Sequence, residues 1–183
     1  MVLMKLDFFK KYWKELLIVI LIFFLGLAVR AYMMRYELWF EFDTYWHAKI
    51  TSIFIQTGVI PVKDPLAYYQ LGQALVGFPS YGLYYLSTLI YKIGTLGAVY
   101  NKELWMWFVK FLPAFYGALI SVAMYFLGRI IGGKKLGALL GFFTAVSSAF
   151  VYRTMTGQYE EDCLGFLWMI LGFIFLIAGN QVK

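Results

Sequence analysis

Long uncharged segments are the feature that most limits what this chain can fold into. Residues 16–34 contain one charged side chain, Arg30. As a helix rising ~1.5 Å per residue they would extend about 28 Å, close to the hydrocarbon thickness of a bilayer. Three later segments are similarly apolar, so we predict four transmembrane helices. Their predicted bounds are 16–34, 105–127, 136–152 and 164–178.

Composition supports the same class of fold. The sequence is 62% hydrophobic and only 14% charged, which is more apolar surface than a soluble domain of 183 residues can bury. We therefore predict an all-α fold, a polytopic transmembrane helix bundle that forms one domain, with residues 35–104 as a long extracytoplasmic loop. Within this loop we predict short helices over 43–56 and, at the membrane interface, over 81–93. The alternative, a further span within the uncharged residues 66–91, would invert the topology of everything that follows.

The basic residues predict the orientation of the bundle. A net charge of +6 could indicate nucleic-acid binding in a soluble protein, but here the basic side chains lie mostly beside the apolar segments. The positive-inside rule explains that placement, so we predict a multi-pass integral membrane protein with a cytosolic N-terminus and no nucleic-acid partner. Arg30, near the far end of the first span, is expected to snorkel outward. The basic residues predicted to be cytosolic are Lys5, Lys10, Lys11, Lys14, Arg129, Lys134 and Lys135.

The acidic residues are predicted to collect on the opposite side. Asp43 follows the first span, and Glu160 and Asp162 follow the third, so we expect their carboxylates to converge at one face of the membrane. Carboxylates that converge repel one another unless a cation lies between them, and oxygen ligands favour Mg²⁺ or Mn²⁺. Asp43, Glu160 and Asp162 are therefore candidate metal ligands. The alternative is a solvated helix boundary, where acids simply complement the helix dipole.

Residues near these acids have alternative roles. Asp43 is itself suited to be the N-cap of the helix that it begins. His47 is a weak candidate metal ligand, and the alternative for a single histidine is an interfacial hydrogen bond. Arg153 is a weak candidate for substrate phosphate binding, although we favour an ion pair with the acidic run. Cys163, the only cysteine, is expected to be a packing residue, and it excludes an intrachain disulfide.

Three short segments stand out from the apolar ones. They are Trp39-Phe-Glu41-Phe-Asp43-Thr-Tyr45-Trp-His47-Ala-Lys49, Tyr68-Tyr69-Gln-Leu-Gly72 and Tyr152-Arg153-Thr-Met-Thr-Gly157-Gln-Tyr159-Glu160-Glu161-Asp162. Together they resemble the N-terminal part of the catalytic subunit of oligosaccharyltransferase, and the last segment is the most specific. That family, of which the archaeal and bacterial single-subunit enzymes are most similar, belongs to the C-type glycosyltransferase superfamily.

The resemblance implies a multi-span enzyme with a lipid-linked donor. Such an enzyme transfers an oligosaccharide from a dolichyl or polyprenyl phosphate or pyrophosphate to the asparagine amide of Asn-X-Ser/Thr in an acceptor polypeptide. Asp43 matches a catalytic aspartate that binds the metal and contacts the acceptor amide. Glu160 and Asp162 match the paired acids that bind Mn²⁺ or Mg²⁺, although their Glu-X-Asp order departs from the usual Asp-X-Glu or Asp-X-Asp. The implied partners are the lipid-linked donor, the acceptor polypeptide and membrane lipids.

Other family features are not found in these 183 residues. The sequence contains no Trp-Trp-Asp motif, no later external loop with a catalytic carboxylate and no soluble C-terminal domain. We therefore expect a fragment or a shortened relative that does not catalyse transfer by itself. Two alternatives stay open: another C-type glycosyltransferase, similar to protein O-mannosyltransferases, or a non-catalytic membrane scaffold subunit.

Overall fold

The protein is a bundle of long helices with shorter helices at one end. The computed structural model describes residues 2–37, 39, 41–61, 63–64, 73–74 and 80–181, with the backbone alone at 2–11, 63–64, 73–74 and 181. The elements in chain order are α1 (Val2–Ala31), a 3₁₀ turn (Tyr32–Arg35), α2 (Phe42–Thr57), β1 (Lys63–Asp64), β2 (Gln73–Ala74), α3 (Tyr81–Gly94), α4 (Lys102–Val146), α5 (Ser148–Thr154) and α6 (Glu161–Gln181). The two short strands pair antiparallel with Lys63 opposite Ala74. The predicted all-α membrane bundle is confirmed.

The described residues include three helices that are long and apolar enough to cross a membrane. They lie at Tyr12–Arg35, Lys102–Val146 and Glu161–Asn180. The first and third contain the predicted spans 16–34 and 164–178. Helix α6 is longer than the predicted span 164–178, because it begins at Glu161 and ends at Gln181.

Helix α4 is a hairpin of two arms, residues 102–131 and 134–146. The backbone leaves the helical conformation at Gly132 and Gly133, and Gly133 has a φ of +80° that favours glycine. The arms then pack closely, since a methyl group added to Gly128 would lie 2.9 Å from the Cα of Gly137. Predicted spans 105–127 and 136–152 begin on these arms, although the second arm ends at Val146 and α5 follows a break at Ser147. That all four segments cross a membrane stays a prediction.

Helix α1 packs along the hairpin through small residues and one ion cluster. A methyl group added to Gly26 would lie 3.4 Å from the Cα of Ala118. Near the Gly132–Gly133 reversal, the carboxylate of Glu15 lies 2.5 Å from Arg129 Nε and 2.9 Å from Lys134 Nζ. We call this the basic end of the bundle. It joins α1 to both arms of α4 through the bases predicted to be cytosolic.

The opposite, acidic end of the bundle carries α2 and α3. Their buried apolar side chains form one core with α4 and α6, which includes Ile50, Leu83, Tyr91, Trp105 and Leu164. Both helices lie where the sequence predicts them, within two residues at each boundary. The N-cap of α2 is Glu41, so the predicted cap role of Asp43 is wrong; Asp43 lies in the first turn. Glu41 is the last residue with an extended backbone before the helix, so the N-cap lies two positions earlier than predicted.

Candidate active site at the acidic end

The loop of residues 155–160, between α5 and α6, is held by backbone bonds from two long helices. The backbone N–H and hydroxyl of Thr156 both donate to the carbonyl of Arg30, at 3.2 and 3.1 Å. The N–H of Gly157 donates to the carbonyl of Lys110 at 3.1 Å. Gly157 has a φ of +90°, which is accessible to glycine and costly for other residues. The loop is therefore anchored to α1 and to the first arm of α4.

Thr44 joins the N-terminus of α2 to the same loop. Its hydroxyl donates to the carbonyl of Gly157 at 3.1 Å and accepts from the N–H of Tyr159 at 2.9 Å. Thr51, two turns along α2, shares a hydrogen bond of 3.2 Å with the Tyr159 hydroxyl. Because Asp43 precedes Thr44, these contacts place the first turn of α2 beside the loop that leads to Glu160. The predicted convergence of the two segments is present in the structure.

Arg153 forms ion pairs with both acids of the Glu-X-Asp pair. Its Nη1 lies 3.7 Å from Oε2 of Glu160 and 3.5 Å from Oδ2 of Asp162. The favoured interpretation of Arg153 as an ion-pair partner agrees with these distances. Direct binding of a substrate phosphate by Arg153 stays a prediction.

Glu160 lies in an environment with excess negative charge. Its side chain is only 12% exposed, and its Oε1 atom is buried with no hydrogen-bond partner among the described residues. Burial raises the pKa of Glu160 to about 7, and repulsion from Glu41, Asp162 and Asp43 acts in the same direction while Arg153 opposes it. A single arginine thus balances several acids only in part.

The carboxylates suit a hard cation in chemistry, but they do not form a closed coordination shell. Among the described residues, no group of three or more His, Cys, Asp or Glu side chains is placed to hold a metal ion. Asp43 is exposed, whereas Glu160 is mostly buried. The unpartnered Oε1 of Glu160 is the observation that fits a cation, because a buried acceptor oxygen requires a partner.

His47 belongs to a neighbouring polar cluster. Its Nε2 lies 3.0 Å from Oε2 of Glu161, and its Nδ1 lies 2.9 Å from the hydroxyl of Tyr84. Ser80 donates to the same Glu161 oxygen at 3.1 Å. Burial lowers the pKa of His47, against the opposing effects of Glu161 and Asp43. Because both ring nitrogens have partners, this geometry favours the hydrogen-bonding role of His47.

Sequence reasoning missed Thr44, Arg30 and Thr156, which hold the site together. Threonine and arginine next to apolar segments carry no distinctive signal. The threonine that follows Asp43 at the start of a helix is the clearest hint in retrospect, since hydroxyls there readily bond to nearby backbone. Cys163 is buried as predicted, and its thiol donates to the Glu160 carbonyl at 2.9 Å.

Comparison with known proteins gives consistent results. The family model described as oligosaccharyl transferase STT3, N-terminal, matches residues 15–183. The dolichyl-phosphooligosaccharide-protein glycotransferase 1 of Pyrococcus horikoshii is 31% identical over 155 residues, covering 81% of this chain and 15% of the relative. The protein of the same name from Pyrococcus furiosus is 29% identical over 120 residues, covering 66% of this chain and 12% of the relative. This chain therefore spans a small part of the length of these curated relatives.

One solved structure has a similar fold. It is the archaeal oligosaccharyltransferase AglB from Archaeoglobus fulgidus, in complex with an inhibitory peptide and a dolichol-phosphate. The match has a TM-score of 0.70 and covers 93% of this chain and 20% of that chain, at 20% sequence identity. At this identity the match establishes a shared fold.

Proposed function

Because the chain belongs to the oligosaccharyl transferase STT3 N-terminal family, we propose that it forms the N-terminal part of a metal-dependent oligosaccharyltransferase. The donor is a dolichyl or polyprenyl phosphate or pyrophosphate carrying an oligosaccharide, and the acceptor is the asparagine of Asn-X-Ser/Thr. The names of the Pyrococcus relatives support the donor class. The peptide and dolichol-phosphate in the AglB complex support both substrate classes.

The observation that carries the proposal is the buried Oε1 atom of Glu160, which has no hydrogen-bond partner among the described residues and lies in acidic surroundings. Glu160 and Asp162, with Asp43 from α2, would hold Mn²⁺ or Mg²⁺. When bound, the cation supplies positive charge that stabilises the phosphate leaving group. Arg153 would keep Glu160 and Asp162 together through its ion pairs, with a phosphate contact as a second role.

The reaction replaces a carbon–oxygen bond of the donor with a carbon–nitrogen bond to the acceptor. The amide nitrogen of asparagine bonds to the anomeric carbon while the bond between that carbon and the phosphate oxygen breaks, so the configuration at the carbon inverts. The electron pair of the broken bond goes to the lipid phosphate, and the proton that the nitrogen loses passes to water. Asp43 would accept a hydrogen bond from the acceptor amide, which orients the nitrogen for attack.

The proposed topology places this chemistry outside the cytosol. The basic end, with Arg129 and Lys134, would lie on the cytosolic side together with the N-terminus. The acidic end would lie on the extracytoplasmic side. By themselves, residues 1–183 are proposed to contribute to cation binding without catalysing transfer.

A transfer assay tests the proposal. Membranes containing the polypeptide that carries this chain are supplied with a dolichyl-linked oligosaccharide and either an Asn-X-Thr peptide or a serine peptide without asparagine. We expect Mn²⁺-dependent glycosylation of the Asn-X-Thr peptide, with at least a hundredfold loss for Asp43→Ala. The matched control is Glu103→Gln, an exposed acid in the first turn of α4. Glycosylation of the serine peptide alone would favour an O-glycosyltransferase, and transfer that persists in Asp43→Ala would remove Asp43 from the active site.

A further inference from the structure

Arg30 is a buried cation on a predicted membrane span. Its side chain is 0% exposed, so it does not snorkel outward as the sequence suggests. Gly117, on the first arm of α4, provides the space: an added methyl group there would collide with Nε of Arg30 and would lie 2.7 Å from the Thr154 hydroxyl. The first arm therefore has a notch that accepts this side chain.

The Arg30 guanidinium caps the C-terminus of the second arm of α4. It donates to the carbonyl of Ala145 at 2.9 Å and to the carbonyl of Thr144 at 3.1 Å. The arm ends at Val146, so these two carbonyls belong to the last turn and have no partner within the helix. A cation is also favoured there by the negative end of the helix dipole, although no carboxylate pairs with Arg30 among the described residues.

Arg30 bonds to the C-terminal end of α5 and to the segments on either side of that helix. Besides the second arm, which precedes α5, the Arg30 Nε donates to the hydroxyl of Thr154 at 2.7 Å, in the last residue of α5. The Arg30 carbonyl accepts both bonds from Thr156, at the start of the 155–160 loop. One residue of α1 thus bonds to the end of the second arm, to the end of α5 and to the start of the loop.

We propose that Arg30 is a positioning residue for the carboxylates of Glu160 and Asp162. It acts through α5 and the loop, at a distance from the acids themselves. Arg153, which forms ion pairs with both acids, lies on α5 next to Thr154. Thr156 precedes Gly157, whose carbonyl accepts a hydrogen bond from Thr44 of α2. Releasing Arg30 would therefore disturb both sets of contacts that place Glu160. The effect on cation binding rests on the proposed function, whereas the effect on the order of the loop does not.

The chain contains a matched control at its other end. Glu15 is also charged, also buried on α1 and also bonded to both arms of α4, but its partners are at the basic end. Glu15→Gln weakens α1–α4 packing without touching α5 or the loop. If Arg30 only stabilises the bundle, variants at Glu15 and Arg30 of equal global stability will behave alike.

The test uses Arg30→Lys, which keeps the charge but loses the forked donor geometry, and Thr156→Val, which keeps Arg30 but removes the hydroxyl bond to its carbonyl. Cys163, the only cysteine in the sequence, is buried in the first turn of α6, directly after the loop, and its thiol donates to the Glu160 carbonyl. The rate of its alkylation by a maleimide in detergent micelles reports opening of the loop, and manganese binding is measured on the same samples. Stability in each sample is measured by denaturation.

We expect Cys163 to react about tenfold faster in Arg30→Lys, and several-fold faster in Thr156→Val, with weaker Mn²⁺ binding in both. Glu15→Gln at comparable stability should leave both quantities within about twofold of the parent. Equal acceleration in Glu15→Gln, or no acceleration in either loop-side variant, would overturn the positioning role. The two proposals can fail separately. If the loop-side variants are alkylated faster but the parent protein does not bind Mn²⁺, Arg30 positions the loop and the proposed metal dependence is wrong.

Discussion

Glu160→Gln should stabilise the protein at pH 8 when no divalent cation is present. The pKa of Glu160 is raised to about 7 from an ordinary value of 4.5, so the unfolded state loses its proton first as the pH rises. Ionising the carboxyl in the folded protein therefore costs stability. The cost is absent below about pH 4.5, grows between that value and about 7, and is complete above it.

The size of the effect follows from the same values. At about 1.4 kcal/mol for each tenfold change in proton affinity, the difference between pKa values of 4.5 and about 7 corresponds to an upper bound of about 3.5 kcal/mol. Water around the exposed neighbouring acids screens part of the repulsion, so we expect about 1–3 kcal/mol. Glutamine has nearly the same shape as glutamate and carries no charge, and it removes this cost at pH 8 without creating a cavity.

Denaturation in detergent with EDTA, monitored by tryptophan fluorescence at pH 5 and pH 8, measures the effect. The free energy of unfolding of Glu160→Gln should exceed that of the parent at pH 8, and the gap should narrow at pH 5. Glu103→Gln, which removes an exposed acid at the same end of the bundle, should match the parent at both pH values. A Glu160→Gln variant that is less stable than the parent at pH 8 would refute the reasoning, since it would mean that the ionised carboxylate stabilises the fold.

Three further substitutions test other parts of the structure. Gly133→Ala should lower the free energy of unfolding by about 1–2 kcal/mol because of the positive φ at the reversal, whereas Gly179→Ala, where an added methyl group meets nothing within 4 Å, should not lower it. Thr44→Val should cost about 1–3 kcal/mol by removing two bonds to the 155–160 loop, and Thr57→Val at the exposed end of α2 serves as its control in the same denaturation assay. His47→Ala should speed amide hydrogen exchange in α3, because Tyr84 and Glu161 lose a shared partner; unchanged exchange would show that the cluster does not hold α3 in place.

The helices were predictable because their signals are local. Apolar periodicity and turn residues place α2 and α3 within two residues at each boundary. The Gly132–Gly133 pair beside three basic residues also indicates a reversal between two apolar segments. The span count, which stays a prediction, also expects the segments of Asp43 and Glu160 on one side, and the bonds of Thr44 to the 155–160 loop agree with it.

Arg30 shows why contacts between residues distant in sequence were not predictable. An arginine near the end of an apolar segment is expected to reach the membrane surface when only that segment is considered. Its actual position depends on Gly117 and on the unpaired carbonyls of Thr144 and Ala145, which are distant in sequence. Those partners become neighbours only after the hairpin of α4 has formed.

The partners of the acidic run depend in the same way on tertiary packing. Glu160, Glu161 and Asp162 have similar local signals, yet Glu161 binds His47 and Ser80 whereas the other two pair with Arg153. The direction of each side chain is decided by how α6 begins beside α3 and α5. A sequence pattern identifies the acidic run and does not assign its partners.

The affinity for Mn²⁺ tests the central claim, that the first turn of α2 and the 155–160 loop with the start of α6 form one cation site. Binding is measured by the loss of free Mn²⁺ electron paramagnetic resonance signal for the parent, Asp43→Asn, Asp162→Asn and the double variant, with Glu103→Gln as control. A shared site predicts about tenfold or greater weakening by each single substitution, a double variant whose loss differs from the sum of the two, and no change in the control. Parent-like affinity in Asp43→Asn would contradict the claim, because it would separate α2 from the site that Glu160 and Asp162 form.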